Sequence, residues 1–185
     1  MNEGELDTGK AVRCLAEAAG SVFAEMAFMD AERADRMSDD GKSVEGMPAP
    51  LPADGDELSG DDVVRVALDV LKPLSCRLEL DCSARLAAAI SDILYGVADA
   101  ELPDGENTPP AIADRKSDDS LLEMLNVLAG GFLSAYFGPG TPFKLELPFF
   151  VFGEPDVIGQ TIARVDLNVE GLPAALTLSS IRYRY

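Results

Sequence analysis

The stretch LLEMLNVLAGGFL, from Leu121 to Leu133, is apolar or glycine at every position except Glu123 and Asn126. Apolar residues recurring every three or four positions predict a helix with a broad apolar face, which we expect to pack on a sheet. Residues three apart lie on one helix face, so the carboxylate and the carboxamide point the same way. Asn is a poor helix former and is costly to bury without a partner. The pair is therefore the first candidate for a functional site.

The same pair also has a purely structural explanation. Ser120 and Glu123 have the spacing of a capping box, with Ser120 as the N-cap. Asn126 fits a buried amide that a loop carbonyl satisfies. Gly130 lies four residues after Asn126 on the same face, where it leaves room for the close approach of a partner or serves tight packing against the sheet. The pattern by itself leaves these alternatives open.

Composition excludes several classes of function. The chain has 185 residues, is 47% hydrophobic and carries a formal net charge of −18, which predicts one globular domain with an acidic surface. Such a surface repels nucleic acids and anionic membranes. The chain has no histidine. A histidine base, a Ser-His-Asp triad and a histidine metal site are therefore excluded.

We expect a soluble cytoplasmic protein without a metal or cofactor of its own. The N-terminus, Met1–Asp7, is acidic where a signal peptide is basic, and we expect no apolar run long enough to span a bilayer. Asp118 and Asp119 resemble ordinary acids of a first helical turn, and Asp54–Asp62 lacks EF-hand spacing. The cysteines have no CxxC spacing and are expected to be reduced core thiols; they are Cys14, Cys76 and Cys82.

Hydrophobic periodicity and turn residues divide the chain into helices, strands and two polar loops. The acidic stretch 35–61, rich in Pro and Gly, is predicted to be a mobile and dispensable loop within a single domain, 1–185. The predicted order is helix 10–33, loop 35–61, a hairpin of strands 64–70 and 74–80, helix 83–95, loop 97–115, helix 118–137, and strands 143–152, 161–169 and 174–185.

This order predicts an α/β domain of the two-layer α+β kind, with a mostly antiparallel sheet. A faint internal repeat is also visible. Leu15–Gly20 can be laid over Leu121–Asn126, which places Glu17 over Glu123 but Gly20 over Asn126.

The segment Asp119–Gly130 followed by Phe143–Pro148 resembles the CheX-like domain of the CheC/CheX/FliY chemotaxis phosphatase family. That family carries a Glu-x-x-Asn signature on a helix, then a Gly, then a strand ending in Pro. The resemblance extends to Cys76–Leu80, to the helix after it through Gly96, and to Ala24–Met29 of the first helix. It covers most of the chain except 35–61.

The resemblance implies a CheC-like fold with pseudo-twofold internal symmetry, and a homodimer. It implies that the substrate is the aspartyl phosphate of a CheY-like response regulator, with Mg²⁺ held by that partner. Glu123 would contact the regulator's active-site lysine, and Asn126 would orient the attacking water. CheX-like members have one such pair and CheC-like members two; because Gly20 replaces the second Asn, one site is expected here.

Two other functions remain open from the sequence. The domain is alternatively a non-catalytic adaptor that binds a response regulator or a motor component on the same fold. It is otherwise a structural protein in which the polar pair only caps a helix. Exposure of both side chains separates the first two functions from the third, and turnover on a phosphorylated receiver domain separates the enzyme from the adaptor.

Overall fold

The computed structural model describes residues 6–34, 63–95, 115–152 and 159–181, and the side chains of Tyr95 and 115–118 are outside that description. These ranges hold three helices and one seven-stranded sheet. The elements are α1 (Thr8–Met26), β1 (Ala31–Arg33), β2 (Val63–Lys72), β3 (Cys76–Ser83), α2 (Ala84–Tyr95), α3 (Arg115–Phe137), β4 (Lys144–Leu145), β5 (Phe149–Phe150), β6 (Thr161–Val169) and β7 (Leu172–Ser180). The loops predicted at 35–61 and 97–115 lie outside the described residues, apart from Arg115, which begins α3.

The sheet is built from two similar halves. Its order is β1-β6-β7-β3-β2-β4, with β5 also beside β2, and every pairing is antiparallel. In one half the hairpin β2–β3 contributes the central strand β3, and the short strand β4, which follows α3, is at the edge. In the other half the hairpin β6–β7 contributes the central strand β7, and the short strand β1, which follows α1, is at the edge. The halves meet where β3 pairs with β7, with Leu78 opposite Leu178. This arrangement is the pseudo-twofold symmetry that the resemblance implies.

One face of the sheet holds the core. Side chains alternate across a strand, so every second residue of the central strands points at the helices. On β3 these are Cys76, Leu78, Leu80 and Cys82, all at most 1% exposed. Burial raises the pKa of the Cys76 and Cys82 thiols to about 12, so they are inert core residues, as the sequence predicts.

The helices α1 and α3 pack side by side in opposite directions. At one end, the Lys10 Nζ donates a hydrogen bond to the Tyr136 carbonyl at 2.6 Å, and the Asp7 N–H donates to the Tyr136 hydroxyl at 2.9 Å. Further along, a Cβ built on Gly131 would lie 3.6 Å from the Ala18 Cβ. The start of α1 is therefore next to the end of α3, as a twofold axis between them requires.

The two segments of the faint sequence repeat also have nearly the same pattern of buried and exposed side chains. Residues 13–25 of α1 and 119–131 of α3 have the same order of buried, half-buried and exposed side chains, except at Gly20 against Asn126 and at Ala24 against Gly130. The two helices therefore present equivalent faces to solvent, and their chemistry differs where Gly20 replaces Asn126.

Several predicted boundaries are wrong. The first helix ends at Met26, and Ala31–Arg33 is a strand. The Met29 N–H donates to the Phe23 carbonyl at 3.1 Å, and Phe28 has a φ of 52°, which closes the helix without a Gly or Pro. The strand predicted over 143–152 is two short strands separated by Pro148, and the last strand begins at Leu172.

The prediction that no apolar segment is long enough to span a bilayer is also wrong. The 19-residue segment Asp119–Phe137 has sufficient length and apolar composition. In this fold its apolar residues pack in the core between the helices and the sheet, where Leu121, Leu125 and Leu128 are at most 1% exposed. A core helix of a globular domain has the same composition.

Candidate active site

Glu123 and Asn126 are both exposed, on the solvent-facing side of a helix whose other side is buried in the core. Met124, Leu125 and Leu128 beside them are fully buried. We call the solvent-facing side of α3 its crest. Successive residues of an α-helix are about 100° apart, so Glu123 is at the centre of the crest and Asn126 is towards one edge of it. The expected exposure of the pair on a single face is confirmed.

Both structural explanations of the pair are wrong. The helix begins at Arg115, five residues before Ser120, so Ser120 lies within the helix and cannot be its N-cap. The Ser120 side chain is 1% exposed and faces the interior. Asn126 is an exposed residue, so it is not a buried amide that a loop satisfies. Neither polar residue is needed to complete the fold locally.

Gly130 leaves open space on the same crest. A Cβ built there would have no other residue's atom within 4 Å, apart from its own helix backbone. The packing glycine is instead Gly131, whose Cβ would touch Ala18 of α1. Of the two explanations offered by the sequence for Gly130, close approach of a partner agrees with the geometry.

The equivalent surface of α1 lacks the pair. Glu17 is exposed like Glu123, but Gly20 has no side chain to offer, and the space around it is open. Near the end of α1 the Ser21 hydroxyl donates a hydrogen bond to the Glu25 carboxylate at 2.9 Å. Within the described residues, a carboxylate and a carboxamide three residues apart on an exposed helix crest therefore occur once.

The crest beyond Asn126 is electrically neutral. From Asn126 to Ala135 the sequence NVLAGGFLSA has no charged residue, in a chain whose net charge is −18. The exposed carboxylates of Asp119 and Glu123 lie on the preceding turns of the same side of α3, and the net charge of the chain opposes the approach of a negatively charged partner over longer distances.

A second group of charged residues lies on the opposite face of the sheet. Arg77 and Asp69 face each other across β3 and β2 and form a bidentate ion pair at 2.7 and 3.0 Å. Arg65 and Asp81 form a similar pair four residues along each strand, and the hydrogen bonds and charge of Asp81 raise the Arg65 pKa. The pairs border a cleft of about 210 Å³. We interpret them as cross-strand stabilisation of the sheet, since each guanidinium already has a carboxylate partner.

The described residues contain no cluster of three His, Cys, Asp or Glu side chains that could hold a metal ion. The candidate site consists of a carboxylate, a carboxamide and open space on a rigid helix. Such a surface lacks an activated nucleophile. The carboxylate can accept hydrogen bonds from a partner, and the carboxamide can both accept and donate them.

Comparisons with known proteins give a match at the level of structure. No protein-family model and no curated protein sequence matches the chain. CheX from Desulfovibrio desulfuricans is similar with a TM-score of 0.59 and 13% identity, over 91% of this chain and 97% of that one. CheX from Vibrio vulnificus is similar with a TM-score of 0.57 and 18% identity, over 92% and 98%.

A third similar structure is a complex. It is the CheX–CheY–BeF3–Mg²⁺ complex from Borrelia burgdorferi, with a TM-score of 0.52 and 15% identity, over 94% of this chain and 98% of that one. CheC-like proteins and a FliY are similar as well, again over more than nine-tenths of this chain. At such low identity the agreement concerns the fold, and it extends over more than nine-tenths of this chain. The chain therefore has the CheX-like fold of the CheC, CheX and FliY proteins.

Proposed function

We propose that the protein is a phosphatase that acts on the aspartyl phosphate of a CheY-like response regulator in chemotaxis-type signalling. The observation that carries the proposal is the exposure of Glu123 and Asn126 on the solvent-facing side of a helix whose other side is in the core. The pair has the Glu-x-x-Asn spacing of the signature that the sequence resemblance implies, in a chain whose fold is similar to that of CheX, and one of the similar CheX structures is a complex with CheY.

Asn126 has the groups that a water-orienting residue requires. Its carboxamide oxygen accepts a hydrogen bond and its amino group donates two. In the proposed complex the crest of α3 enters the receiver's active site, and the carboxamide holds a water molecule in line with the phosphorus. Phosphoryl transfer depends mainly on positioning and on stabilisation of charge, so a histidine base is not required.

Glu123 supplies the docking charge. One turn before Asn126, its exposed carboxylate is placed to pair with the receiver's active-site lysine. Gly130, one turn after Asn126, has no Cβ and open space around it, so the receiver's backbone can approach the helix closely. The receiver would contribute the phosphoryl group and the Mg²⁺ ion, and this chain the carboxylate and the carboxamide.

The proposal is tested by a screen of receivers. Receiver domains from the same cell are phosphorylated with a small-molecule phosphodonor, and phosphate loss is followed with and without the protein. We expect one or a few receivers to lose phosphate faster in its presence. Equal rates for every receiver that binds the protein would contradict a phosphatase.

The second candidate is a receiver-binding adaptor. The observation that favours it is helix α1, which has the exposed Glu17 but Gly20 in place of the Asn, so this domain itself presents a similar surface without a full pair. An adaptor would bind a receiver loaded with beryllofluoride and leave its phosphate lifetime unchanged. Binding and phosphate loss are therefore measured on the same receivers.

A further inference from the structure

Val127 is an exposed aliphatic residue directly beside the catalytic candidate. Its side chain is 44% exposed in the middle of α3. In the described helices one further large apolar side chain is exposed, that of Ile93 in α2, at 41%. Single exposed apolar residues are common on protein surfaces, so exposure alone assigns no role. The position of Val127 relative to Asn126 is what distinguishes it.

Asn126 and Val127 lie on opposite sides of the crest of α3. Gly131 follows Val127 by one helical turn on the same face, and it is in contact with Ala18 of α1, so Val127 is on the α1 side. Asn126, about 100° away around the helix axis, is on the other side, and Glu123 and Gly130 lie between them. A partner that receives the Asn126 carboxamide from above the crest also covers Val127.

Helix propensity does not favour a valine at this exposed position. β-Branched residues are less favourable in helices than Ala, Leu, Lys or Glu, any of which would suit an exposed helical position. The equivalent residue of α1 is Ser21, whose hydroxyl contacts solvent and the Glu25 carboxylate. The two crests share their burial pattern, and the apolar residue is present on the crest that has Asn126.

We propose that Val127 is a docking residue that contacts an apolar side chain of the receiver at the rim of the pocket that Asn126 enters. This inference rests on the proposed function, because it takes the receiver as the occupant of the crest. Val127 does not touch the reacting atoms, so it sets the affinity for the receiver and leaves the chemical step to Asn126. The surrounding crest has no charge between Asn126 and Ala135, which suits an apolar contact.

The test compares matched substitutions at Val127 and Ile93. Val127→Thr keeps the β-branched shape and replaces a methyl group by a hydroxyl, and Val127→Asp adds a charge. We expect KM for the phosphorylated receiver, and Kd for the beryllofluoride-loaded receiver, to rise about threefold for the Thr variant and at least about tenfold for the Asp variant. kcat should stay within about twofold, and Ile93→Thr and Ile93→Asp should match the wild type.

Each outcome has a separate meaning. Wild-type Kd and KM for both Val127 variants would overturn the inference and leave the proposed phosphatase standing. Weaker binding of a receiver that is never dephosphorylated would support the docking role and contradict the phosphatase. A wild-type protein that binds no receiver would overturn both. If Val127→Asp does not fold, the Thr variant decides the question.

Discussion

The position of Glu123 within α3 determines how its substitution should affect the stability of the protein. A capping-box glutamate would contribute about 1 kcal/mol to helix stability, but α3 begins at Arg115 and Glu123 is exposed well within it. We therefore expect Glu123→Ala to leave the free energy of unfolding within about 0.5 kcal/mol of the wild type, as is usual for surface substitutions. Urea denaturation measures this, and a loss of 1 kcal/mol or more would restore the capping explanation.

Gly130 should show opposite effects on stability and activity. Gly130→Ala adds a methyl group in open space within a helix, which should raise the free energy of unfolding by about 0.5–1 kcal/mol. The same methyl group obstructs the close approach of the receiver, so phosphatase activity should fall.

Gly131→Ala is the matched control for that substitution. Its Cβ would make an ordinary contact with Ala18, on the α1 side of the helix rather than on the side of Asn126. It should stabilise the helix by a similar amount without loss of activity. Full activity of Gly130→Ala would show that the receiver does not approach α3 at this point.

At the residue scale the sequence predicted the exposure of Glu123 and Asn126 correctly. Two polar residues in an apolar helix pattern are conspicuous, and their spacing fixes their common face. The role of Ser120 was not accessible in the same way. A Ser followed three residues later by Glu has the same spacing at a helix start and within a helix, and only the observed start at Arg115 separates the two.

At the scale of elements, clean alternation identified β6 and the β2–β3 hairpin. The end of α1 was missed because Ala27–Met29 continues the apolar pattern, and the helix is closed by a left-handed Phe28 that no Gly or Pro marks. The pairing of Arg77 with Asp69, and of Arg65 with Asp81, follows from the hairpin register and was not predicted from composition.

Glu79 should make the stability of the sheet depend on pH. It lies on the outer face between those ion pairs, and burial, followed by the charge of Asp81, raises its pKa. The folded state therefore holds this proton more tightly than the unfolded state. The corresponding stability is present at low pH and is lost as the pH rises through the pKa of the folded state.

Glu79→Gln removes this dependence. The variant should exceed the wild type in unfolding free energy at pH 7, by a few tenths of a kcal/mol because Glu79 is partly exposed, and the difference should vanish near pH 4. Urea denaturation at the two pH values checks it, with Glu32→Gln on β1 as an exposed control. A Gln variant less stable than the wild type at pH 7 would show that Glu79 gains more from Arg65 and Arg77 than it loses by burial.

At the scale of the whole molecule we predict a homodimer, as the family resemblance implies. The tail IRYRY from Ile181 to Tyr185 is aromatic and basic in an acidic chain, so it is suited to contact a second copy; its last four residues lie outside the described ranges. Light scattering at micromolar concentration should give twice the chain mass of 19.6 kDa. A monomer mass would contradict the prediction, and a dimer that persists after removal of 182–185 would place the interface elsewhere.

The central claim is that Asn126 orients the water that attacks the receiver's aspartyl phosphate. It is tested most directly by the rate of phosphate loss from a cognate phosphorylated receiver, held saturated with wild-type or Asn126→Ala protein. Removal of an orienting group should lower the protein-stimulated rate by about 10²–10³-fold. The melting temperature should change little, because Asn126 is exposed, and saturation of the receiver removes any effect of weaker binding from the measured rate. An Asn126→Ala variant that dephosphorylates the receiver at the wild-type rate would contradict the account.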